Sequence, residues 1–409
     1  MNLSVKQIKN CRICNSSFLE NTLDIGIQTL TGVFPKTKDQ KITSGPLRLV
    51  RCVDPDGCGL LQLEHTFSLP EMYGDNYGYR SGLNASMYNH LKNKVSKILD
   101  FYKPEDLSVI LDIGSNDGTT LSFYPDSFIK IGIDPTASKF KQYYNKNDIV
   151  VPDFFSEKSF RLATNKQAEI VTSFSMFYDL EDPLSFMNEI YNILSDNGIW
   201  VFEQSYMPTM LKNNSYDTVC HEHIMYYSMR QIKWMMDRVG FKAVDIEFNN
   251  VNGGSFSVIA AKKSSSVPET IKVREVIYNE YSKGLDKPTI YKEFNNRIIN
   301  SKCKLLEFLN ETKRSGKIVG GLGASTKGNV LLQYCGLSEK DIFAIGEVND
   351  DKFGSFTPGT LIPIIKEEEL MKNNPDYLVV LPWHFRDTFV RKHTGKSKLV
   401  FPLPDLEIV

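Results

Sequence analysis

The apolar positions change their period several times along the chain, and each change predicts an element. In "SMRQIKWMMDRVG" (228–240) they recur at Ile232, Met235, Met236 and Val239, one face of a helix, with a capping box from Ser228 to Gln231 before them and Gly240 as the stop. A second helical stretch lies near 85–101. "LSVILDIGSNDGTTLSFY" (107–124) reads as an apolar strand, a glycine turn and a helix, the first βα turn of a doubly wound sheet. "IKIGID" supplies the second strand, "EIVTSFSM" the fourth and "GIWVFEQSY" the fifth, with "DPLSFMNEIYNILSDNG" as the helix between the last two. "FKAVDIEF" and "SFSVIAAK" alternate around "NNVNGG", which predicts an antiparallel hairpin. Residues 263–313 are polar and read as linker and helices. After them "GKIVGGLGASTKGNVLLQYC" repeats the strand, glycine turn and helix, and "IFAIGEVND" and "DYLVVLPWHF" add two strands. The pattern divides the chain into 1–84, 85–262 and 263–409.

Composition narrows what these parts do. Over 409 residues, 48 basic side chains nearly cancel 49 acidic ones, so no overall field draws the molecule to nucleic acid or to an anionic membrane, and neither is expected as a partner. No apolar run approaches the roughly 18 residues of a membrane helix, and "MNLSVKQIKN" has no signal-peptide core, so the expected compartment is the cytoplasm. Cysteines stay reduced there. Cys11 and Cys14 in "CRIC", with Cys52 and Cys58 in "RCVDPDGC", offer four thiolates to a structural zinc ion; the competing reading is a set of buried thiols.

The glycine turn predicts a cofactor. Gly114, Ser115 and Gly118 let a ligand approach the backbone, and Asp112 and Asn116 can hydrogen-bond to it. Asp134, followed by Pro135, ends the second strand where a carboxylate takes both ribose hydroxyls. Asp153 and Phe154 suit an adenine amino group and face, and Ser173 lies at the end of the fourth strand. The dinucleotide pattern G-x-G-x-x-G is absent.

The segment "YDTVCHEHIMYYS" (216–228) leaves three readings open: a metal grip, a proton-transfer site, or packing. Histidines two apart share a side only on a strand, and the H-E-x-x-H spacing is missing, which weighs against metal. The aromatic "YGDNYGYRSG" (73–82) reads either as a lid over the site or as turn material, with Arg80 as a candidate phosphate contact.

Together "DIGSNDG", "HEH" followed by "YYS", "NGGS" (252–255), "GASTKGN" (323–329), "TPGTLIPI" (357–364) and the cysteine set resemble the sugar C-methyltransferases of nucleotide-deoxysugar pathways. The resemblance covers the whole chain. It implies an α/β fold: a class I methyltransferase Rossmann-like sheet flanked by a small N-terminal zinc-binding domain and a C-terminal Rossmann-like domain. It further implies S-adenosylmethionine as cofactor, structural zinc, and methyl transfer to C-3 of a 4-keto sugar linked to dTDP or GDP. Under it His223 is the base that makes the enolate, Glu222 tunes the site, His221 helps hold the sugar or the oxyanion, and Tyr79 donates to the enolate oxygen. Substrate contacts are expected from Tyr77, Tyr178, Glu203, Gln204, Cys220, Asn252, Ser325, Lys327, Asn329 and His384. Two departures bear on the sugar: Cys220 stands where many members have tyrosine, and Tyr178-Asp179 where many have alanine-histidine. The rival reading is O-methylation with the same cofactor.

Overall fold

The computed structural model describes residues 5–67, 72 and 80–409. Tyr77 and Tyr79 lie outside the described residues. The N-terminal module is an antiparallel sheet of β1 (Leu19–Thr29), β2 (Ser44–Cys52) and β3 (Leu61–Leu63). Its alternating side chains Leu23, Ile25, Leu47, Leu49, Leu61 and Leu63 are buried, as a one-sided sheet requires.

After α1 (Ala85–Phe101), capped by the Asn84 side chain, the chain enters parallel strands β4 (Val109–Ile113), β5 (Ile129–Ile133), β6 (Ile149–Val151), β7 (Ala168–Phe174) and β8 (Leu194–Ser205). Between β7 and β8, α2 (Pro183–Ile193) starts on an Asp182 cap with proline in its first turn. It is shorter than "DPLSFMNEIYNILSDNG" predicts, because Leu194 already pairs with Ala168 across the sheet.

The chain then leaves this sheet. β9 (Met225–Tyr226) pairs with β3, and the Leu63 N–H donates to the Ile224 carbonyl at 2.9 Å, so the N-terminal sheet has a strand from the middle of the chain as its neighbour. α3 (Met229–Val239) follows and ends at left-handed Gly240. β10 (Phe241–Asn249) and β11 (Ser255–Lys262) complete the central sheet as the expected hairpin. Its order is β6-β5-β4-β7-β8-β11-β10.

The polar stretch after β11 holds α4 (Lys272–Ser282) and α5 (Pro288–Arg314). Glu280 of α4 is buried and accepts from the Met229 and Arg230 amides at 2.7 and 2.9 Å, closing the free N–H groups at the start of α3. Then come β12 (Val319–Leu322), α6 (Thr326–Cys335), β13 (Ile345–Glu347), β14 (Ile364–Lys366), β15 (Tyr377–Val380), β16 (Lys398–Phe401) and β17 (Glu407–Ile408). The order β14-β13-β12-β15-β16-β17, with only the last pair antiparallel, is a second nucleotide-type sheet. The fold class is therefore the expected one: two Rossmann-like sheets behind a four-cysteine module. Among the described residues no helix is long and apolar enough to cross a membrane.

Candidate active site and cofactor site

The four cysteines come together at one end of the N-terminal sheet, where Leu19 at the start of β1 pairs with Cys52 at the end of β2. Cys11 and Cys58 sulfurs are 3.4 Å apart, Cys14 and Cys52 sulfurs 3.5 Å, and all four lie within 4.8 Å of one another. Zinc–sulfur bonds of about 2.3 Å set tetrahedral sulfur–sulfur edges of about 3.8 Å, so the quartet fits zinc. Gly57 is required by closeness: a Cβ there would lie 2.9 Å from the Cys52 sulfur. Among the described residues this is the grouping of His, Cys, Asp and Glu able to hold a metal.

The turn after β4 has left-handed backbone at Gly114 (φ 72°), Asn116 (φ 50°) and Gly118 (φ 76°), and it is closed from within: the Gly114 N–H donates to the Ile133 carbonyl and the Gly118 N–H to the Ser115 carbonyl, each at 2.9 Å. The Asn116 N–H donates to Asp134 at 3.0 Å, tying the turn to the end of β5; Thr136 donates to the other oxygen of that carboxylate. Buried Asp112 accepts from Thr172 at 2.6 Å, and burial pushes its carboxyl up to about 7. Side chains at Gly114 and Gly118 would run into Met176 and the Tyr144 ring, so the turn packs this closely only with glycine at both positions. These residues fit the amino-acid and ribose parts of S-adenosylmethionine. Pro135, Asp153 and Phe154 line the exposed rim, whereas Ser173 is fully buried and accepts from the Trp200 indole at 3.0 Å.

The outer wall of this turn is the end of the 73–82 segment, and sequence reasoning did not single out Asp117, Tyr143 and Tyr144, on which it rests. Ser81 and Gly82 amides donate to the side chains of Asn116 and Asp117 at 3.0 and 3.1 Å. Arg80 lies 3.5 Å from the centre of the Tyr143 ring and 3.4 Å from Asp117, against the cofactor turn and not on a separate phosphate site. Tyr144 supports the turn from below through Ser115 and the Asn116 carbonyl. A lone tyrosine some thirty residues downstream carries no sequence signal.

The two histidines of the 216–228 segment point into different modules. His221 is fully buried and meets Phe67 of the N-terminal module edge-on at 4.5 Å. His223 faces the other way, edge-on to Tyr178 at 4.5 Å, with Nδ1 3.0 Å from the Thr218 carbonyl. A carbonyl only accepts, so Nδ1 carries the hydrogen and Nε2 keeps its lone pair. Burial, and then the positive charge of Lys327, lower the His223 pKa to about 4, so the ring is neutral near pH 7.

Glu222 lies between modules. Among the described residues its Oε2 is buried without a hydrogen-bond partner, and burial raises its pKa. From the C-terminal module, Lys327 donates to the Asn252 carbonyl at 2.5 Å, and the Trp383 indole donates to Asp217 at 2.8 Å. His384 is held neutral by burial and by Lys327, its pKa lowered to about 3. Gln204 is fully buried and neither amide atom has a partner among the described residues.

Other candidate contacts are already engaged. Glu203, on the opposite face of β8 from Gln204, meets His90 at 2.6 Å, Asn249 at 2.8 Å and Lys94 at 3.0 Å. Ser325 caps α6 through the Gly328 amide, and buried Asn329 donates to the Thr31 carbonyl at 2.8 Å. The structure thus brings His223, Tyr178, Cys220, Glu222, Asn252 and Lys327 toward one loop and leaves His221, Glu203 and Asn329 in supporting contacts.

The comparisons with known proteins agree with this layout. Residues 11–73 match a zinc binding domain, 86–246 a methyltransferase domain, and 250–404 the C-methyltransferase C-terminal domain. The chain is 26% identical over 414 residues to the C-methyltransferase NovU of Streptomyces niveus, covering 99% of this chain and 98% of that protein. Among solved structures, a chain of the complex between the Haloferax volcanii Trm112 methyltransferase activator and a methyltransferase matches at 12% identity and TM-score 0.37, covering 46% of this chain and 95% of its own. The plantazolicin methyltransferase BpumL matches at 12% identity and TM-score 0.34, covering 42% and 83%. With a four-cysteine module, a cofactor turn and a C-terminal module in that order along the whole chain, this protein belongs to the three-domain S-adenosylmethionine-dependent C-methyltransferases.

Proposed function

We propose that the enzyme methylates C-3 of a 4-keto sugar carried on dTDP or GDP, in the making of a branched-chain sugar in the cytoplasm. The observation that carries this reading is the His223 tautomer: Nδ1–H is held on the Thr218 carbonyl, which leaves the lone pair on Nε2 to act as the base. A carbon beside a ketone becomes nucleophilic only when its proton is removed, and a neutral imidazole is suited to that step. S-adenosylmethionine, when bound, supplies an electrophilic methyl group. His223 takes the C-3 proton, the electron pair moves toward the C-4 oxygen as the enolate, and C-3 then bonds to the methyl group as the sulfur–methyl bond breaks, its pair staying on the sulfur of the departing S-adenosylhomocysteine.

Buried donors around the loop offset the enolate charge in a site shielded from water. Lys327 and the amide of Gln204 have the chemistry for this, and Glu222 with Cys220 shapes the sugar side. Tyr178 packs the base, Asn252 holds Lys327, and Ser325 and His384 stand where the nucleotide end would reach. Tyr77 and Tyr79, outside the described residues, are assigned from the motif alone. The supporting division of labour is 1–84 for zinc, 85–262 for cofactor and chemistry, and 263–409 for the nucleotide.

The test is incubation with methyl-labelled S-adenosylmethionine and a panel of 4-keto sugars on dTDP, GDP or UDP in deuterated water. A product with a new carbon–carbon bond, deuterium exchange at C-3, and loss of both by about 10²–10⁴-fold in His223→Ala are expected. A methoxy product, or methylation that survives without His223, overturns the reading.

A further inference from the structure

Gly32 has no assigned role, and its surroundings give it one. The segment from Gln28 to Lys36 runs out of β1 onto α6 and is fastened there along its length. Gln333 receives the Thr29 amide at 2.7 Å and donates to the Thr29 carbonyl at 3.1 Å; Asn329 donates to the Thr31 carbonyl at 2.8 Å. Further along, Lys36 donates to the Asp351 carbonyl at 2.8 Å and to the Ser355 hydroxyl at 2.9 Å. Between these ties, a Cβ added at Gly32 would stand 2.7 Å from Glu222 Oε1 and 3.7 Å from the Thr326 hydroxyl. Real Cβ atoms do not come that close to an oxygen, and the backbone on either side is held.

The glycine is not there for its backbone. Gly32 is absent from the positive-φ residues, so its φ is one that alanine adopts without strain. What the missing side chain provides is space, and the group filling it is the carboxyl of Glu222, whose Oε2 is buried without a partner among the described residues. The N-terminal module, the catalytic loop and the first turn of α6 meet at this point.

We propose that Gly32 is a positioning residue: it leaves the room in which the Glu222 carboxyl lies between the N-terminal module and α6, and so sets the working position of Glu222. This rests on Glu222 belonging to the active site, as proposed above. It gives the N-terminal module a part in catalysis that is separate from holding zinc.

The experiment is a double-mutant cycle with Gly32→Ala and Glu222→Asp, using the 4-keto sugar of the panel that wild type turns over fastest. Gly32→Ala alone is expected to lower kcat by about 10²-fold, as a displacement of about 1 Å does, with S-adenosylhomocysteine affinity and zinc content unchanged. In the Glu222→Asp background the shorter side chain vacates the space, and the same alanine is expected to cost less than about 3-fold. Equal losses in both backgrounds, or no loss in either, overturn the proposal. If Gly32→Ala does not fold, recovery of folded protein on adding Glu222→Asp supports the contact, and no recovery overturns it. Glu222→Gln separates the two ideas: full activity there removes Glu222 from the site, whereas a loss there with an unaffected Gly32→Ala sinks only the role of Gly32.

Discussion

A base with a pKa of about 4 abstracts protons less readily than one near 7, so the charge beside His223 matters as much as its position. Lys327 is the buried cation that acts on it after burial itself, and it acts on His384 in the same direction. The sign follows directly: a nearby positive charge disfavours the imidazolium, so removing it raises the pKa. Lys327→Met is expected to move the acid limb of the kcat/KM profile to higher pH, toward the ordinary histidine value of about 6.5. A profile measured from pH 4 to 8 checks this; an unmoved limb means that Lys327 is too well paired to reach the base. At this scale the sequence was informative where chemistry is local. The glycine turn "DIGSNDG" and the trio His221-Glu222-His223 are adjacent residues whose types betray them. Gly32 and Asp217 carry no such mark, because their meaning comes from contacts across long stretches of chain. The trio also shows a limit: adjacency did not reveal that His221 turns into the N-terminal module while His223 turns toward Tyr178.

Helices and strands with a full period were legible: α3 from its apolar face and cap, and the β10–β11 hairpin from its alternation around a glycine pair. β9 was not, since two residues have no period, and its partner β3 lies over 160 positions earlier in the chain. Yet β9 begins two residues after His223 and anchors the loop that carries it. Gln231 of α3 adds a second tie by donating to the Cys58 and Gly59 carbonyls at 3.0 and 3.1 Å, so a zinc ligand's own peptide holds the helix after the loop. Structural zinc sites contribute about 10–16 kcal/mol in small modules, so losing the ion should release this anchor. Cys14→Ser is expected to cut methyl transfer by about 10²-fold while S-adenosylhomocysteine affinity changes less than about 3-fold, because the cofactor turn hangs on β4 and β5. Hydrogen exchange gives the discriminating reading. The Leu63 amide, bonded to the Ile224 carbonyl, should lose protection while the amides of β4 keep theirs. Uniform loss across both sheets would mean that the modules unfold together.

On the scale of the whole molecule, the loop that carries His223 is held from both flanks. The N-terminal module takes His221 and β9, and the C-terminal module takes Asp217 through Trp383. The second tie has a pH dependence that can be worked out. Asp217 is buried, one oxygen has no partner, and burial raises its pKa, against which Lys327 and the Trp383 N–H pull down. A carboxyl raised on folding contributes stability that is full below its unfolded value of about 3.8 and is lost as pH rises through the folded value. Trp383→Phe keeps most of the buried ring but removes the donor, which raises the folded value further. The cost of the substitution therefore grows with pH. It is expected to be smallest at the acid end of the range, where the Asp217 carboxyl takes up its proton, and to reach about 1–3 kcal/mol once the wild-type carboxyl is ionised. Urea unfolding of both proteins at several pH values measures it. The same cost at every pH would assign the contact to packing of the ring; a cost that rises with pH would show that the C-terminal module holds the loop through the charge on Asp217.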